Sequence, residues 1–266
     1  MCGILSNMDI LLTLFLITVG FNLALFIPAY LYKTDRLTDV SYALSFVILS
    51  VFAYAKSSHN AAHTVLLLAV LLWAARLGGF LLMRIWNMKR DKRFDGMREN
   101  FFAFLRFWLL QGISVFIILL ASLLYWRHPH AVVSTLSVVG VLIFGVGLCL
   151  ETVADAQKFT FNQDPKNKGK WIDSGVWSKS RHPNYLGEML VWIGLYIYGL
   201  TVFEGKEWLI GLASPLFIMT LLLFVSGIPL LEKSADERWG KDKAYQAYKK
   251  RVPKLLPVFF WRRATK

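Results

Sequence analysis

A polar segment with the sequence "SRHPNYLGE" directly precedes an apolar run in the second half of the chain. Pro183 suits the first position of a helix, where its missing N–H is not needed. The start of that helix would present free backbone donors beside Arg181 and His182, and such an end binds anions, phosphate above all. Asn184 and Glu188 could hydrogen-bond hydroxyl and amide groups of the same ligand. The segment therefore predicts a site for a large phosphorylated ligand, although Arg181 and His182 could instead be simple interface anchors.

Ionisable and hydrogen-bonding residues also lie inside apolar runs, where charge is costly and usually functional. Asp39 and Tyr42 are three residues apart and therefore share one helix face. Arg76 lies too deep in its run to reach the interface easily, so it requires an anion, either a carboxylate or a bound phosphate. Trp73 precedes Arg76 in the same run, and Arg84 follows two turns later. A simpler alternative is that Arg76 and Asp39 form an ion pair within the membrane.

Two further runs carry polar residues near one end. Glu151 and Asp155 are one helical turn apart. In the next run, polar residues recur every three to four positions and form one stripe. The stripe consists of Arg181, Asn184 or Tyr185, Glu188 and Trp192. We expect all these groups to meet in the cytosolic half of the protein, because their runs begin or end on that side.

The composition predicts the elements that hold these residues. The chain has 266 residues, of which 56% are hydrophobic, and a mean hydropathy of +0.48. A soluble domain of this length cannot hide so much apolar surface, so we predict an all-α, polytopic integral membrane protein with an amphipathic cytosolic tail. Seven apolar spans are predicted, at residues 9–31, 37–54, 64–86, 104–125, 132–152, 184–203 and 208–231.

Lysine and arginine alternate between the two sides of these spans. The loops on one side hold only Lys56, Arg127 and Lys206, whereas nearly all the other basic residues follow spans one, three, five and seven. The positive-inside rule then places the amino terminus outside and the basic tail in the cytoplasm, most consistent with a bacterial inner membrane. Topology and anionic lipids account for the net charge of +13, so nucleic acid is not an expected partner.

The chain is expected to form one membrane domain. Residues 1–131 would make a substrate-side half, and residues 132–266 a cofactor-side half with the tail. Cys2 and Cys149 fit no disulfide framework or metal-ligand spacing, so no metal site is predicted. The oligomeric state does not follow from the sequence.

The stretch "GVWSKSRHPNYLGEMLVWIGLYI" resembles the carboxyl-terminal domain of the steroid 5-alpha reductase family, near its bacterial membrane-protein branch. The stretches "DVSYALSF", "LLWAARLGGFLLMR" and "AYQAYKKRVPKLLP" agree as well, so the resemblance covers spans two to seven and the tail. It implies a seven-helix enzyme that uses NADPH. The cofactor would lie in a cytosol-open pocket of the last three helices and their loops.

The resemblance also implies roles for individual residues. Asn184 would contact the nicotinamide portion, with Tyr185 and Glu188 beside it. The ribose and phosphate contacts would come from Arg76, Arg84, Asp155, Lys158, Lys170 and Arg181. Asp39 matches a glutamate that polarises the substrate carbonyl together with a tyrosine. The position of that tyrosine is Trp73 here, and Tyr42 is the alternative donor.

These observations predict an NADPH-dependent oxidoreductase acting on a carbon–carbon double bond of a lipophilic substrate, such as a steroid-like, isoprenoid or fatty enone. Its expected partners are that small molecule and membrane lipids. The first alternative is a lipid or prenyl-cysteine methyltransferase that uses S-adenosylmethionine, which would share "RHPNYLGE" and a glutamate near the tail, here Glu232. The second alternative is a non-enzymatic membrane protein that retains the pocket.

Overall fold

A computed structural model describes the backbone of residues 2–87 and 94–256 and the side chains of residues 10–83 and 94–256. Within these ranges the protein is helical and contains no β-strand. Nine α-helices lie there: α1 (Cys2–Leu31), α2 (Arg36–Ala55), α3 (Ala61–Asn87), α4 (Phe101–Tyr125), α5 (Thr135–Gln163), α6 (Pro183–Gly199), α7 (Glu207–Thr220), α8 (Ile228–Trp239) and α9 (Lys243–Arg251).

Six helical segments in the described part of the chain are long and apolar enough to cross a membrane. They correspond to α1 to α5 and to the stretch Glu207–Trp239, which includes α7 and α8. The predicted sixth span is α6, which has 17 residues and is about 25 Å long, shorter than the roughly 20 residues that usually span a bilayer. The structure confirms an all-α, polytopic membrane protein.

The chain divides into two compact units, each described here by itself. The first unit contains Met1–Val138 and Leu195–Ser214, and the second contains Val139–Gly194 and Pro215–Lys266. The first therefore includes α1 to α4, and the second includes α8, α9 and most of α5 and α6. The prediction of a single domain stays a prediction.

Buried hydrogen bonds tie three helices of the first unit together. The amide nitrogen of Gln111 in α4 donates to Oδ1 of Asn22 in α1 at 2.9 Å and to Oγ of Ser41 in α2 at 2.7 Å. Asn22 Nδ2 also donates to Oγ of Ser45 at 3.0 Å. Lipid tails are as apolar as leucine, so packing and such bonds supply the attraction between membrane helices.

Glycines let α5 and α6 approach closely in the second unit. A Cβ added to Gly187 would lie 2.6 Å from the Glu151 backbone nitrogen, and one added to Gly147 would lie 2.6 Å from the Gly187 carbonyl oxygen. A Cβ added to Gly194 would meet the Phe144 nitrogen at 2.5 Å. Gly147 is therefore a helix-packing contact, and the seam brings the polar start of α6 beside the polar end of α5.

The tail packs against the loop that joins α5 and α6. Tyr245, Tyr248 and Val252 form a buried cluster with Trp171 and Trp239 packed around it. The Tyr248 hydroxyl also donates to the Trp177 carbonyl at 3.0 Å. The aromatic face of the amphipathic helix α9 is therefore covered by protein. Burial raises the pKa of the Tyr245 and Tyr248 hydroxyls, so both stay protonated at neutral pH.

Candidate functional site

A cavity of about 510 Å³ lies in the second unit, between the end of α5, the α5–α6 loop, α8 and α9. Five basic side chains and one carboxylate contribute to its wall, together with aromatic rings. The charged residues are Lys158, Lys168, Lys170, Arg181, Arg238 and Glu232, and His182 lies beside them. The cavity is therefore strongly positive, which favours an anionic ligand.

Glu232 of α8 holds Arg181 and His182 at the inner end of this cavity. Its Oε2 lies 2.6 Å from Nη1 of Arg181, and its Oε1 lies 2.8 Å from Nε2 of His182. The side chains of all three residues are at most 13% exposed. Among the described residues, Nε of Arg181 is buried and has no hydrogen-bond partner. The guanidinium thus keeps one donor for a ligand.

His182 is held in place on both sides. Its ring stacks on Tyr185, with ring centres 5.8 Å apart and planes within 11° of parallel. Burial lowers the pKa of His182, and the hydrogen bond with Glu232 offsets part of this effect. The imidazole is therefore mainly neutral at neutral pH, and its contact with Glu232 assigns the proton to Nε2.

Tryptophans also line the cavity, and their contacts order the α5–α6 loop. The Trp177 indole donates to the Ala154 carbonyl at 3.0 Å, and Nζ of Lys158 lies 4.8 Å from the centre of the same indole. The Trp239 indole donates to the Gly169 carbonyl at 2.6 Å. Gly169 has a positive φ of +82°, which favours glycine at this turn. These contacts fix a loop that has little regular structure of its own.

A second polar group lies along the α5–α6 seam, outside the cavity wall. Nδ2 of Asn184 donates to Oδ1 of Asp155 at 3.1 Å. Oδ1 of Asn184 is buried and has no hydrogen-bond partner among the described residues. Glu151 is 4% exposed, and Glu188 is half-buried. The seam therefore offers a buried amide oxygen only two residues beyond His182.

The predicted cofactor residues of the second unit fall into these two groups. Lys158, Lys170, Arg181 and His182 line the cavity. Asp155 and Asn184 are paired on the seam, and Tyr185 joins the groups through its stacking on His182. Lys168 and Arg238 also line the cavity, although no sequence pattern predicted them as site residues. The spacing of residues in the sequence could have indicated Arg238, since Leu231, Ala235 and Arg238 lie on one face of α8 and all three line the cavity.

The predicted catalytic residues lie in the first unit, on α2 and α3. Tyr42 and Phe46 have ring centres 5.2 Å apart, and Phe46 and Trp73 have ring centres 4.8 Å apart, so the three rings form a chain. Trp73 is fully buried, while Asp39 and Tyr42 are half-buried. The structure thus places Tyr42 and Trp73 at the two ends of one aromatic cluster.

The structure describes the side chain of only one of the two predicted arginines of α3, Arg76. The guanidinium carbon of Arg76 lies 5.7 Å from the centre of the Phe80 ring, within the range of a cation–π contact. Arg84 belongs to α3, but its side chain lies outside the described residues. The ion pair of Arg76 with Asp39 stays a prediction.

An apolar groove of about 430 Å³ runs between α2 and α3. Small and branched aliphatic residues form its entire wall. They are Val40, Ala43, Leu44, Val47, Leu71, Ala74, Ala75, Gly78, Gly79, Leu81 and Leu82. A groove of this composition on membrane-spanning helices can accept a hydrocarbon chain.

Comparison with known proteins gives one family and one partial relative. The model of a family described as "Protein of unknown function (DUF1295)" matches residues 25–252. A stretch of 75 residues is 38% identical to part of "Probable O-methyltransferase ustE" from Ustilaginoidea virens. That stretch covers 26% of this chain, and the chain spans about a quarter (26%) of that protein's length. No solved structure matches the chain.

Proposed function

Since the chain belongs to the DUF1295 family, we propose from its candidate site that it is a membrane-embedded, NADPH-dependent reductase. Its substrate would be a lipophilic molecule with a polarised carbon–carbon double bond. The proposal depends above all on one observation, the excess of basic over acidic side chains in the cavity of the second unit.

The charge of the cavity supports a ligand that carries several phosphates. Its one carboxylate, on Glu232, is already neutralised by Arg181, so the remaining basic groups lack a counter-charge from within the wall. Arginine binds phosphate with a planar, multidentate fork, and Nε of Arg181 keeps an unused donor. NADPH has a pyrophosphate and a 2′-phosphate, and its two ring systems suit the tryptophan wall.

The residues of the seam fit the other end of the same cofactor. A nicotinamide carries a carboxamide that can donate to the buried Oδ1 of Asn184. Lys158 and Arg181 would hold the phosphates, and Asn184 would orient the ring. When bound, NADPH supplies a hydride. The chain itself binds, orients and desolvates the reacting groups.

The substrate would occupy the groove between α2 and α3 and the aromatic cluster beside it. The groove wall is apolar, which supports a lipophilic substrate that arrives from the bilayer. Asp39, as a carboxylic acid, would donate a hydrogen bond to the substrate carbonyl. An indole N–H can donate such a bond but releases its proton poorly, so we assign proton donation to Tyr42 and a positioning role to Trp73.

A methyltransferase that uses S-adenosylmethionine is the second candidate function. The 38% identity to part of a probable O-methyltransferase favours it. S-adenosylmethionine has no phosphate, however, so it would leave most basic groups of the cavity without a counter-charge. A protein without enzymatic activity, which retains the cavity, is the third possibility.

The purified protein in detergent should distinguish these candidates. We expect NADPH to raise the thermal unfolding midpoint and to change its own fluorescence on binding, whereas S-adenosylmethionine does neither. Arg181→Ala should abolish both effects. Stabilisation by S-adenosylmethionine alone would favour the methyltransferase. Stabilisation by neither cofactor would favour a protein without enzymatic activity.

The proposed orientation places the cavity in the cytoplasm, where NADPH is available. A reporter protein that fluoresces only in the cytoplasm, fused after the tail, should therefore fluoresce in a bacterial host. A dark fusion with full-length expression would contradict the proposed orientation.

A further inference from the structure

We propose that a separate, smaller cavity in the first unit, where α2 and α4 end, binds the phosphate head group of a membrane phospholipid. This cavity has a volume of about 180 Å³, and all its wall residues belong to the first unit. The wall consists of Ile10, Leu14, Ala53, Lys56, Ser57, Ser58, Leu123, Trp126, Arg127 and Pro129. The inference does not depend on the proposed reductase, because none of these residues was assigned to the cofactor or the substrate.

The head-group cavity lies at a membrane interface. Lys56 is the C-cap residue of α2, and Trp126 is the C-cap residue of α4. Both helices are long and apolar enough to cross a bilayer, so their ends lie at the depth of the lipid head groups. In the proposed orientation of the protein, these head groups belong to the outer leaflet.

Two cations line the head-group cavity, and its described wall contains no acidic side chain. The loops on this side of the membrane hold only three basic residues, Lys56, Arg127 and Lys206. Two of these three therefore meet in one small cavity. Lys56 is exposed and forms no ion pair with any described residue. Basic residues that are scarce on this side but concentrated in one cavity indicate an anionic ligand.

Arg127 keeps an unused donor. Its Nη1 lies 3.6 Å from Oε1 of Glu207, which is too long for a hydrogen bond, and the other carboxylate oxygen lies 2.6 Å from Nε2 of His128. Nε of Arg127 is buried and has no hydrogen-bond partner in the described part of the chain. A buried donor without an acceptor is costly, so a ligand oxygen that accepts from it would stabilise the protein.

The carbonyl ends of α2 and α4 oppose an anion here, but the side chains of the wall outweigh them. Each helix end carries roughly half a negative elementary charge, whereas Lys56 and Arg127 each carry a full positive charge. Some of these carbonyls are also occupied, since that of Tyr54 accepts from the Ser57 N–H at 2.9 Å. Glu207 lies outside the wall and is shared with the neighbouring histidine. The wall thus keeps a positive charge of about one.

The rest of the wall suits an amphiphilic ligand. Oγ of Ser57 accepts from the His59 N–H at 3.4 Å, and among the described residues it gives its own proton to no acceptor, so a phosphate oxygen can take it. The other side of the wall is apolar and consists of Ile10, Leu14, Ala53 and Leu123. The volume is smaller than the roughly 300–1,000 Å³ typical of sites for drug-sized ligands, so a head group fits while its acyl chains remain in the bilayer.

Native mass spectrometry of the full chain, released from detergent, tests this proposal. We expect one phosphatidylglycerol molecule to stay bound at energies that remove other lipids, whereas diacylglycerol with the same chains is lost because it has no phosphate. Lys56→Gln should weaken phosphatidylglycerol binding about tenfold, since a charge-assisted bond is lost. Lys206→Gln makes the same charge change on the same side of the membrane, at an exposed position outside the wall, and should leave binding unchanged.

Arg127→Lys provides a second measurement, because it keeps the charge and removes the Nε donor; it should weaken binding by a similar factor. Equal retention of phosphatidylglycerol by the wild-type protein and by Lys56→Gln, whose exposed position should not affect folding, would overturn the proposal. Equal retention of diacylglycerol would do so as well. Inorganic phosphate at millimolar concentration should not displace the lipid, and full displacement would show that the cavity takes free phosphate instead. None of these results depends on whether the protein binds NADPH.

Discussion

The guanidinium of Arg181 and the carboxylate of Glu232 lie 2.6 Å apart although 51 positions separate them in the chain. The first residue precedes α6, and the second belongs to α8. Both side chains are mostly buried, at 8% and 13% exposure. A single carboxylate therefore links two distant segments and compensates the charge at the inner end of the cavity.

Glu232→Ala should strongly destabilise the protein. The change leaves Arg181 as a buried cation without its counter-charge, and loss of one partner from such a pair costs roughly 3–5 kcal/mol. Thermal or denaturant unfolding of the detergent-solubilised protein measures the effect. Glu237→Ala, at an exposed position of the same helix, is the matched control and should change stability by less than about 0.5 kcal/mol. Equal unfolding midpoints for the two variants would contradict a structural role for the pair.

The stability of the protein should fall as the pH decreases through about 6.5. Burial lowers the pKa of His182, so the folded state binds this proton less readily than the unfolded state does. Protonation then favours unfolding, and the free energy of unfolding decreases by at most about 1.4 kcal/mol per pH unit for this group. Unfolding midpoints between pH 7.5 and pH 5.5 measure the slope. His182→Gln should flatten it, whereas His130→Gln, at an exposed position, should not.

Gly187→Ala should separate α5 from α6. The new Cβ would lie 2.6 Å from the Glu151 nitrogen, so backbone must move, and such overpacking costs about 1–3 kcal/mol. The Asp155–Asn184 hydrogen bond lies on the same seam, so affinity for the proposed cofactor NADPH should fall together with stability. Gly145→Ala on α5 is the control, since nothing lies within 4 Å of its Cβ position. A stable Gly187→Ala protein with normal affinity would show that the seam tolerates a side chain.

Gln111→Ala should loosen the first unit. It removes the donors to Asn22 and Ser41, and hydrogen bonds between membrane helices contribute about 0.6 kcal/mol each on average and up to about 1.7. We expect a loss of about 1–2 kcal/mol in the free energy of unfolding. Ser114→Ala is the control on the same helix, because that hydroxyl donates to the Leu110 carbonyl of its own helix. Equal free energies of unfolding for the two variants would mean that the Gln111 amide makes no net contribution to stability.

Most of the helical architecture could be predicted from hydropathy. The second span was predicted at 37–54, and α2 covers Arg36–Ala55. The fifth was predicted to end at 152, yet α5 continues to Gln163. Hydropathy marks where the lipid ends, while the helix continues because Ala154 packs against Ile172 and Trp177 of the following loop.

The last apolar span shows a different limit. It was predicted as one run at 208–231, but α7 ends at Thr220 and a π-helical turn covers Leu221–Val225. Gly227 is the N-cap residue of α8, and a Cβ added to it would clash with the Leu222 carbonyl oxygen. The helical periodicity of apolar residues cannot indicate this turn, because the residues before the turn and after it are equally apolar.

The candidate site was predictable only in part. The types and order of Arg181, His182 and Asn184 indicate an anion site, because they begin a helix. The contact of Arg181 with Glu232 and the bond between Trp239 and Gly169, which brings Lys168 and Arg238 into one cavity wall, depend on how α8 packs, and no local pattern encodes a contact over 51 or 70 positions.

The backbone nitrogen of Arg181 donates to the carbonyl of Pro253 at 3.0 Å, so a segment beyond α9 closes onto the start of α6. A growing polypeptide on the ribosome cannot form this contact until Pro253 has emerged. Membrane insertion of α1 to α7 can precede it, but the cavity wall is complete only after α9 and Pro253 have been synthesised. Nonsense mutations and bulky fusions placed just before Tyr245 should therefore leave an inserted protein whose cavity lacks one wall.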